Sequence, residues 1–155
     1  MVNYKRNGKV LKIMIDYNET DFSALLIKKS LNVLIVDDEE IIRIFLSAAI
    51  KHAGGTVFEA ENGSKALQIF DNNPIDIILM DLSMPEMDGF EAIRLIKNRS
   101  QTFIPIISIN GFDDETILTR ALAKGADDLL TKPVSPPILI SKMNAMIRIK
   151  ETIQQ

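Results

Sequence analysis

Four charged side chains stand at the ends of short strand-like runs of this chain. Asp37 and Asp38 follow Val33-Leu34-Ile35-Val36, Asp81 follows Ile75 to Met80, and Lys132 follows Asp128 to Thr131. Taken singly, each has a bland explanation. An acid pair after a strand is often the N-cap of the next helix, Asp81 could cap a turn, and a lysine is commonly solvated. Folding does not require all four to coincide at the ends of three strand-like runs, so the set points to chemistry. Carboxylates gathered in a partly desolvated crevice repel one another strongly. A hard divalent cation with oxygen ligands removes that cost, and Mg²⁺ suits a site with few protein ligands plus water and phosphate. The ammonium of Lys132 would be a point-charge partner for the phosphate.

These residues converge only if the elements between them place their strand ends on one rim. Val33–Val36 reads as a strand buried on both faces. From Glu39 to about His52, Ile41, Ile42, Phe45, Leu46, Ala49 and Ile50 recur at helical spacing, and Gly54-Gly55 stops the helix. Thr56–Glu59 is a short strand, Asn62-Gly63 a turn, and Ala66, Leu67 and Phe70 stripe a second helix that ends at Asn72-Asn73-Pro74. A third strand, Ile75–Met80, runs into Asp81. A loop with Pro85 and Gly89 precedes a helix carrying Phe90, Ile93 and Ile96. Ile104–Ile109 is a fourth strand, Thr116 to about Lys124 a helix closed by Gly125, and Asp128–Thr131 a fifth strand. The last helix starts near Pro136 or Pro137 and turns Leu139, Ile140, Met143, Met146 and Ile147 inward. Five strand–helix units predict a flavodoxin-like, doubly wound α/β fold: a five-stranded parallel sheet with helices on both faces and right-handed crossovers. Ligands of such sheets sit at the carboxyl ends of the strands, where the first and third units are neighbours. Asp37, Asp38 and Asp81 should therefore share one crevice that Lys132 can reach.

Residues 1–30 lie outside this repeat. Val10–Ile15 reads as a possible strand and Asp21–Lys29 as a short helix. The segment is the end of an upstream domain, an added surface element or a disordered arm. The domain is expected over residues 31–150, with 151–155 a tail.

Composition narrows the classes. The 155 residues contain no cysteine and one histidine, His52, which excludes disulfides, thiolate metal sites and thiol nucleophiles and disfavours a histidine zinc site. A net charge of −3 gives no general reason to expect direct nucleic-acid binding, and Lys28-Lys29 is too short a patch to supply one. No apolar run is long enough to span a bilayer and no signal-peptide pattern follows Lys5 and Arg6, so a cytoplasmic location is expected. Met80, Met143 and Met146 read as core gap-fillers, His52 as a surface residue near a helix C-terminus, and Asp113-Asp114-Glu115 as an acidic first helical turn.

The stretches LNVLIVDDEE (31–40), VFEAENGSKAL (57–67), DIILMDLSMPEMDGFEAI (76–93), IPIIS (104–108) and GADDLLTKP (125–133) resemble the receiver domain of bacterial two-component response regulators. The similarity covers about residues 32–150. It implies that Asp81 accepts a phosphoryl group from a histidine kinase, a phosphotransfer protein or a small phosphodonor. It also implies that Asp38, Asp81 and the backbone carbonyl of Ser83 bind Mg²⁺, with Asp37 acting through water. Lys132 would contact the phosphoryl group, and Lys132-Pro133 would be a cis peptide. Pro85 and Gly89 match the family's loop after the acceptor. The chain would catalyse only its own phosphorylation and dephosphorylation, and would present its fourth helix, fifth strand and fifth helix to an effector.

Two positions depart from the family pattern. Asn110-Gly111 stands where the family usually has Thr or Ser followed by Ala, and Leu129 where it usually has Tyr or Phe. Asn110 keeps a donor for a phosphoryl oxygen, and Gly111 gives its longer side chain room. Leu129 has neither hydroxyl nor ring. An alternative is therefore a receiver-like interaction module with weak or phosphorylation-independent switching. An aspartate-nucleophile phosphohydrolase is opposed by the adjacency of Asp37 and Asp38, and a flavin site by the lack of a Gly- or hydroxyl-rich loop after the first strand.

Overall fold

The computed structural model describes residues 26–82, 89–111 and 115–154. Five strands, β1 (Asn32–Val36), β2 (Thr56–Ala60), β3 (Ile77–Asp81), β4 (Ile106–Asn110) and β5 (Asp128–Thr131), alternate with five helices. The helices are α1 (Glu40–His52), α2 (Gly63–Asn72), α3 (Gly89–Arg99), α4 (Glu115–Lys124) and α5 (Pro136–Ile153). All strand pairs are parallel, in the order β2-β1-β3-β4-β5. This is the expected doubly wound sheet, with the order reversing beside β1 and β3.

The period of two along each strand divides the apolar residues between two cores. Val33, Ile35, Ile77, Leu79, Ile107 and Ile109 face α1 and α5, where Leu46, Ile50, Leu139, Ile140, Met143 and Ile147 meet them. Leu34, Val36, Ile78, Met80 and Ile106 face the other way, onto Ala66, Leu67, Ile93, Ile96 and Ala121. Strands sandwiched in this way are largely apolar on both faces, which is why β1 and β3 read as near-continuous apolar runs and β4 as one interrupted by the buried Ser108. Each fully buried Leu or Ile contributes about 1.5–3 kcal/mol.

Local chemistry sets the ends. The Asn62 side chain caps α2 by accepting from the Lys65 N–H at 2.8 Å. Gly54 (φ 104°) and Gly125 (φ 117°) take the left-handed conformation that closes α1 and α4. Pro136 and Pro137 occupy the first turn of α5, and Lys132-Pro133 is cis.

Several boundaries differ from expectation; β4, expected over Ile104–Ile109, runs Ile106–Asn110, and β2 extends to Ala60. β3 begins at Ile77 because the Asp76 side chain accepts from the Asn32 N–H at 2.8 Å, tying the chain to the foot of β1 before the ladder starts. Residues 26–30 are not helical; instead the Ile27 N–H donates to the Ala53 carbonyl at 2.9 Å, and Ile27 is buried in the core with Leu31. The packed unit thus begins before Leu31. At the other end α5 continues through the expected tail to Ile153. No Gly or Pro interrupts it, and Lys150 holds it to the Asp76 carbonyl at 3.3 Å. Val10–Ile15 and residues 21–25 of the expected Asp21–Lys29 helix lie outside the described residues.

Candidate functional site

β1, β3 and β5 end on one rim, and their last residues meet there. Asp37 follows β1 with only 1% of its surface exposed. Its N–H donates to the Ala60 carbonyl at 3.1 Å, and its Oδ1 accepts from the Glu39 N–H at 2.9 Å. Its carbonyl accepts from the Arg43 guanidinium at 2.7 Å. Asp81 closes β3 at 4% exposure. From the end of β5, Lys132 reaches between them: its Nζ lies 3.0 Å from Asp37 Oδ2, 3.7 Å from Asp81 Oδ2 and 3.8 Å from Glu39 Oε1. The Lys132 N–H donates to the Asn110 carbonyl at 2.7 Å, which fixes the lysine's backbone to the end of β4. Asn110 itself is 2% exposed. Asp38 is exposed at the mouth, and carboxylate oxygens of Asp37, Asp38 and Glu39 lie within 4.8 Å of one another.

The electrostatics follow from this crowding. Burial holds the Asp37 carboxyl above its ordinary range, and the opposing pull of Lys132 and the Glu39 N–H does not fully restore it. Burial alone would lower the Lys132 ammonium, but Asp37, Asp81 and Glu39 together outweigh that and raise it. Lys132 is therefore a firmly protonated cation beside carboxylates that one ammonium does not neutralise. Among the described residues, the buried Asp37 Oδ2 is met by the Lys132 ammonium at ion-pair distance and by no further hydrogen-bond donor. A buried carboxylate oxygen left so, within a set of hard oxygen donors, fits a divalent cation and its water.

Gly89, the first residue of α3, lies close against the end of β3. A β-carbon there would collide with the Asp81 carbonyl oxygen and the Leu82 α-carbon, so only glycine lets α3 start against β3. Ser83 and Pro85 lie outside the described residues. The structure thus brings together Asp37, Asp81 and Lys132, sets Asp38 beside Asp37 at the mouth, and ties Asn110 to Lys132 through its backbone. Two residues of the site were not singled out from sequence, Glu39 and Arg43. The acidic run Asp37–Glu40, with an arginine one helical turn beyond Glu39, was the available signal. Leu129 is half-buried against the second core. The methionines behave as expected: Met80 and Met143 are fully buried, and Met146 packs against the first core. His52 is exposed.

A doubly wound parallel sheet with buried acids and a lysine at one rim is the arrangement that the receiver-domain resemblance implies, and the comparisons show the family. The response regulator receiver domain family matches residues 33–144, and the chain belongs to that family. Response regulator RR06 of Streptococcus pneumoniae is 36% identical over 118 residues, which are 76% of this chain and 54% of that protein. The autoinducer sensor kinase/phosphatase CqsS of Vibrio cholerae is 34% identical over 74% of this chain but only 17% of its own length. The chain therefore spans about half or less of these relatives. Among solved structures, Vibrio cholerae chemotaxis protein CheY4 superposes with a TM-score of 0.72 at 31% identity, covering 76% of this chain and 98% of that one. A CheX–CheY–BeF₃–Mg²⁺ complex from Borrelia burgdorferi gives 0.69 at 26% identity, over 76% and 89%. Receiver domains of this family are signalling domains of two-component systems. Among the described residues, no helix is long and apolar enough to cross a membrane.

Proposed function

We propose that this receiver domain takes a phosphoryl group onto Asp81, from a histidine kinase or phosphotransfer protein, with Mg²⁺ held at the acidic rim. The observation that carries this reading is the position of Lys132 Nζ, 3.0 Å from Asp37 and 3.7 Å from Asp81, two buried carboxylates at the ends of different strands. Folding gains little from burying two acids beside one lysine, whereas phosphoryl transfer needs a carboxylate nucleophile and fixed positive charge.

Asp38, Asp81 and the Ser83 carbonyl would hold the metal, with Asp37 acting through water. The bound ion would neutralise charge on the acids and on the incoming phosphoryl oxygens. An Asp81 carboxylate oxygen attacks phosphorus, the P–N bond of phosphohistidine or the P–O bond of a small acyl phosphate breaks, and the leaving group departs with the electron pair. Lys132, already protonated, pairs with a phosphoryl oxygen. The side-chain amide of Asn110 would donate to another. Positioning and charge carry the reaction, as expected for a loose phosphoryl-transfer transition state. The product is a mixed anhydride, so water hydrolyses it to the Asp81 carboxylate and inorganic phosphate, and the signal decays. The Borrelia neighbour, solved with Mg²⁺ and the phosphoryl mimic BeF₃, supports the reading by its likeness.

The test is intact mass after incubation with acetyl phosphate and Mg²⁺. One added phosphoryl group in the wild type, absent from Asp81→Asn, is the expected result. A full adduct on Asp81→Asn would remove Asp81 as the acceptor.

A further inference from the structure

Arg43 lies on α1, one turn beyond Glu39, with its side chain only 15% exposed. Its guanidinium donates to the main-chain carbonyl of Asp37 at 2.7 Å, and its Nε lies 3.6 Å from Glu59 Oε1 on β2. It therefore ties the first helix, the end of β1 and the edge strand at one point. The carbonyl it holds belongs to the peptide between Asp37 and Asp38. A peptide is planar, so fixing this oxygen fixes the plane from which Asp38 departs. Other contacts hold the flanks of the turn: the Asp37 N–H donates to the Ala60 carbonyl, Asp37 Oδ1 accepts from the Glu39 N–H, and Lys132 pairs with Asp37 and Glu39. Arg43 is the side chain that holds the carbonyl of the Asp37–Asp38 peptide itself.

We propose that Arg43 is a positioning residue for the divalent cation, setting the Asp37–Asp38 turn in the geometry that binds it. This rests on the proposed reading of the acidic rim as a Mg²⁺ site. Two physical effects of Arg43 have opposite signs, which makes the idea testable. Its positive charge lies beside the acids and opposes a second cation, so by charge alone its removal would tighten Mg²⁺ binding. Its hydrogen bond orients the turn, so by positioning its removal weakens binding. Residues that orient metal ligands from behind typically matter by about 10- to 100-fold in affinity.

The experiment is a Mg²⁺ titration of the full chain, followed through the amide chemical shifts of residues 36–40, with metal-free urea unfolding in parallel. Arg43→Ala is expected to weaken Mg²⁺ by about tenfold, and Arg43→Lys, which keeps the charge and a donor, to bind more tightly than Arg43→Ala. A merely structural role would lower the unfolding midpoint and leave the affinity of the folded chain unchanged. Unchanged or tighter binding by Arg43→Ala overturns the proposal and leaves the Mg²⁺ reading intact. Should Arg43→Ala fail to fold, Arg43→Gln decides by the same criterion. Absence of Mg²⁺ binding by the wild type would overturn the reading of the rim, and this proposal with it.

Discussion

At the scale of single residues, the site is a contest between burial and charge. Asp37 lies deepest, and its raised carboxyl pKa has a consequence for stability. In the window just above the ordinary value of 3.8 the folded chain binds more protons at this position than the unfolded chain does. Stability contributed by Asp37 therefore falls as pH rises through that window, and below 3.8 the slope vanishes because both states are protonated. Metal-free unfolding of wild type and Asp37→Asn across this range should show the wild type losing ground to the mutant as pH rises; parallel profiles would remove Asp37 from the account. Lys132 is the other half. Lys132→Ala leaves Asp37 and Asp81 buried without their cation and should cost about 1–3 kcal/mol in chelator. Mg²⁺ should restore more stability to that mutant than to the wild type, since ligand binding to the folded state adds stability by mass action. Asp37, Asp38, Asp81 and Lys132 were legible in sequence because strand ends announce themselves. Arg43 was not, because its role depends on where a guanidinium lands after the turn, and spacing alone cannot give that.

At the scale of elements, the sequence is most readable where both faces of a strand are buried. β1 and β3 carry near-continuous apolar runs and β4 one broken only by Ser108, so the parallel sheet, with the first and third units as neighbours, was legible. Boundaries were less readable where a side chain replaces a ladder bond, as Asp76 does at the foot of β3. The short stretch before β1 reads in sequence as the end of a helix, because the run Ala24-Leu25-Leu26-Ile27 does not by itself say which residue docks on the core. The burial of Ile27 predicts that Ile27→Ala costs about 2–3 kcal/mol, in the range for large-to-small core changes. A surface arm would lose almost nothing, and thermal or urea unfolding separates the two. Gly89 makes the opposite kind of prediction. A methyl group there meets backbone rather than a flexible side chain, so Gly89→Ala must displace the start of α3 or the Asp81–Leu82 backbone. We expect reduced stability together with slowed phosphorylation by acetyl phosphate. A folded Gly89→Ala protein phosphorylated at the wild-type rate would show that the contact is not needed to aim Asp81.

At the scale of the whole molecule, the question is how far a charge at Asp81 moves the far side of the sheet. The path would run through β4 and β5. Asn110 ends β4 and holds Lys132 by its carbonyl, while Leu129 stands opposite Ser108 in the β4–β5 register. Ser108 is completely buried, and its hydroxyl has no hydrogen-bond partner among the described residues. Beside it Leu129 already packs against the second core, half-buried, where the family pattern places an aromatic ring. An apolar side chain that packs inward without phosphate has little to gain from moving further when phosphate arrives. A ligand shifts two conformations only by its difference in affinity for them. Here the difference rests on Asn110, whose donor to a charged phosphoryl oxygen is worth roughly 1.5–3 kcal/mol when aligned. We therefore expect a shallow switch, in which Asp81 is phosphorylated and the surface formed by α4, β5 and α5 changes modestly. Hydrogen exchange with and without phosphorylation should differ around residues 110–131; differences confined to residues 41–70 would place the output elsewhere. The depth of the switch is read by adding beryllofluoride and Mg²⁺ to wild type and to the Asn110→Thr, Leu129→Tyr double mutant. Chemical-shift changes should extend further across α4 and α5 in the double mutant. An equally extensive wild-type response would show that the amide and the leucine transmit the signal as well as a hydroxyl and a ring.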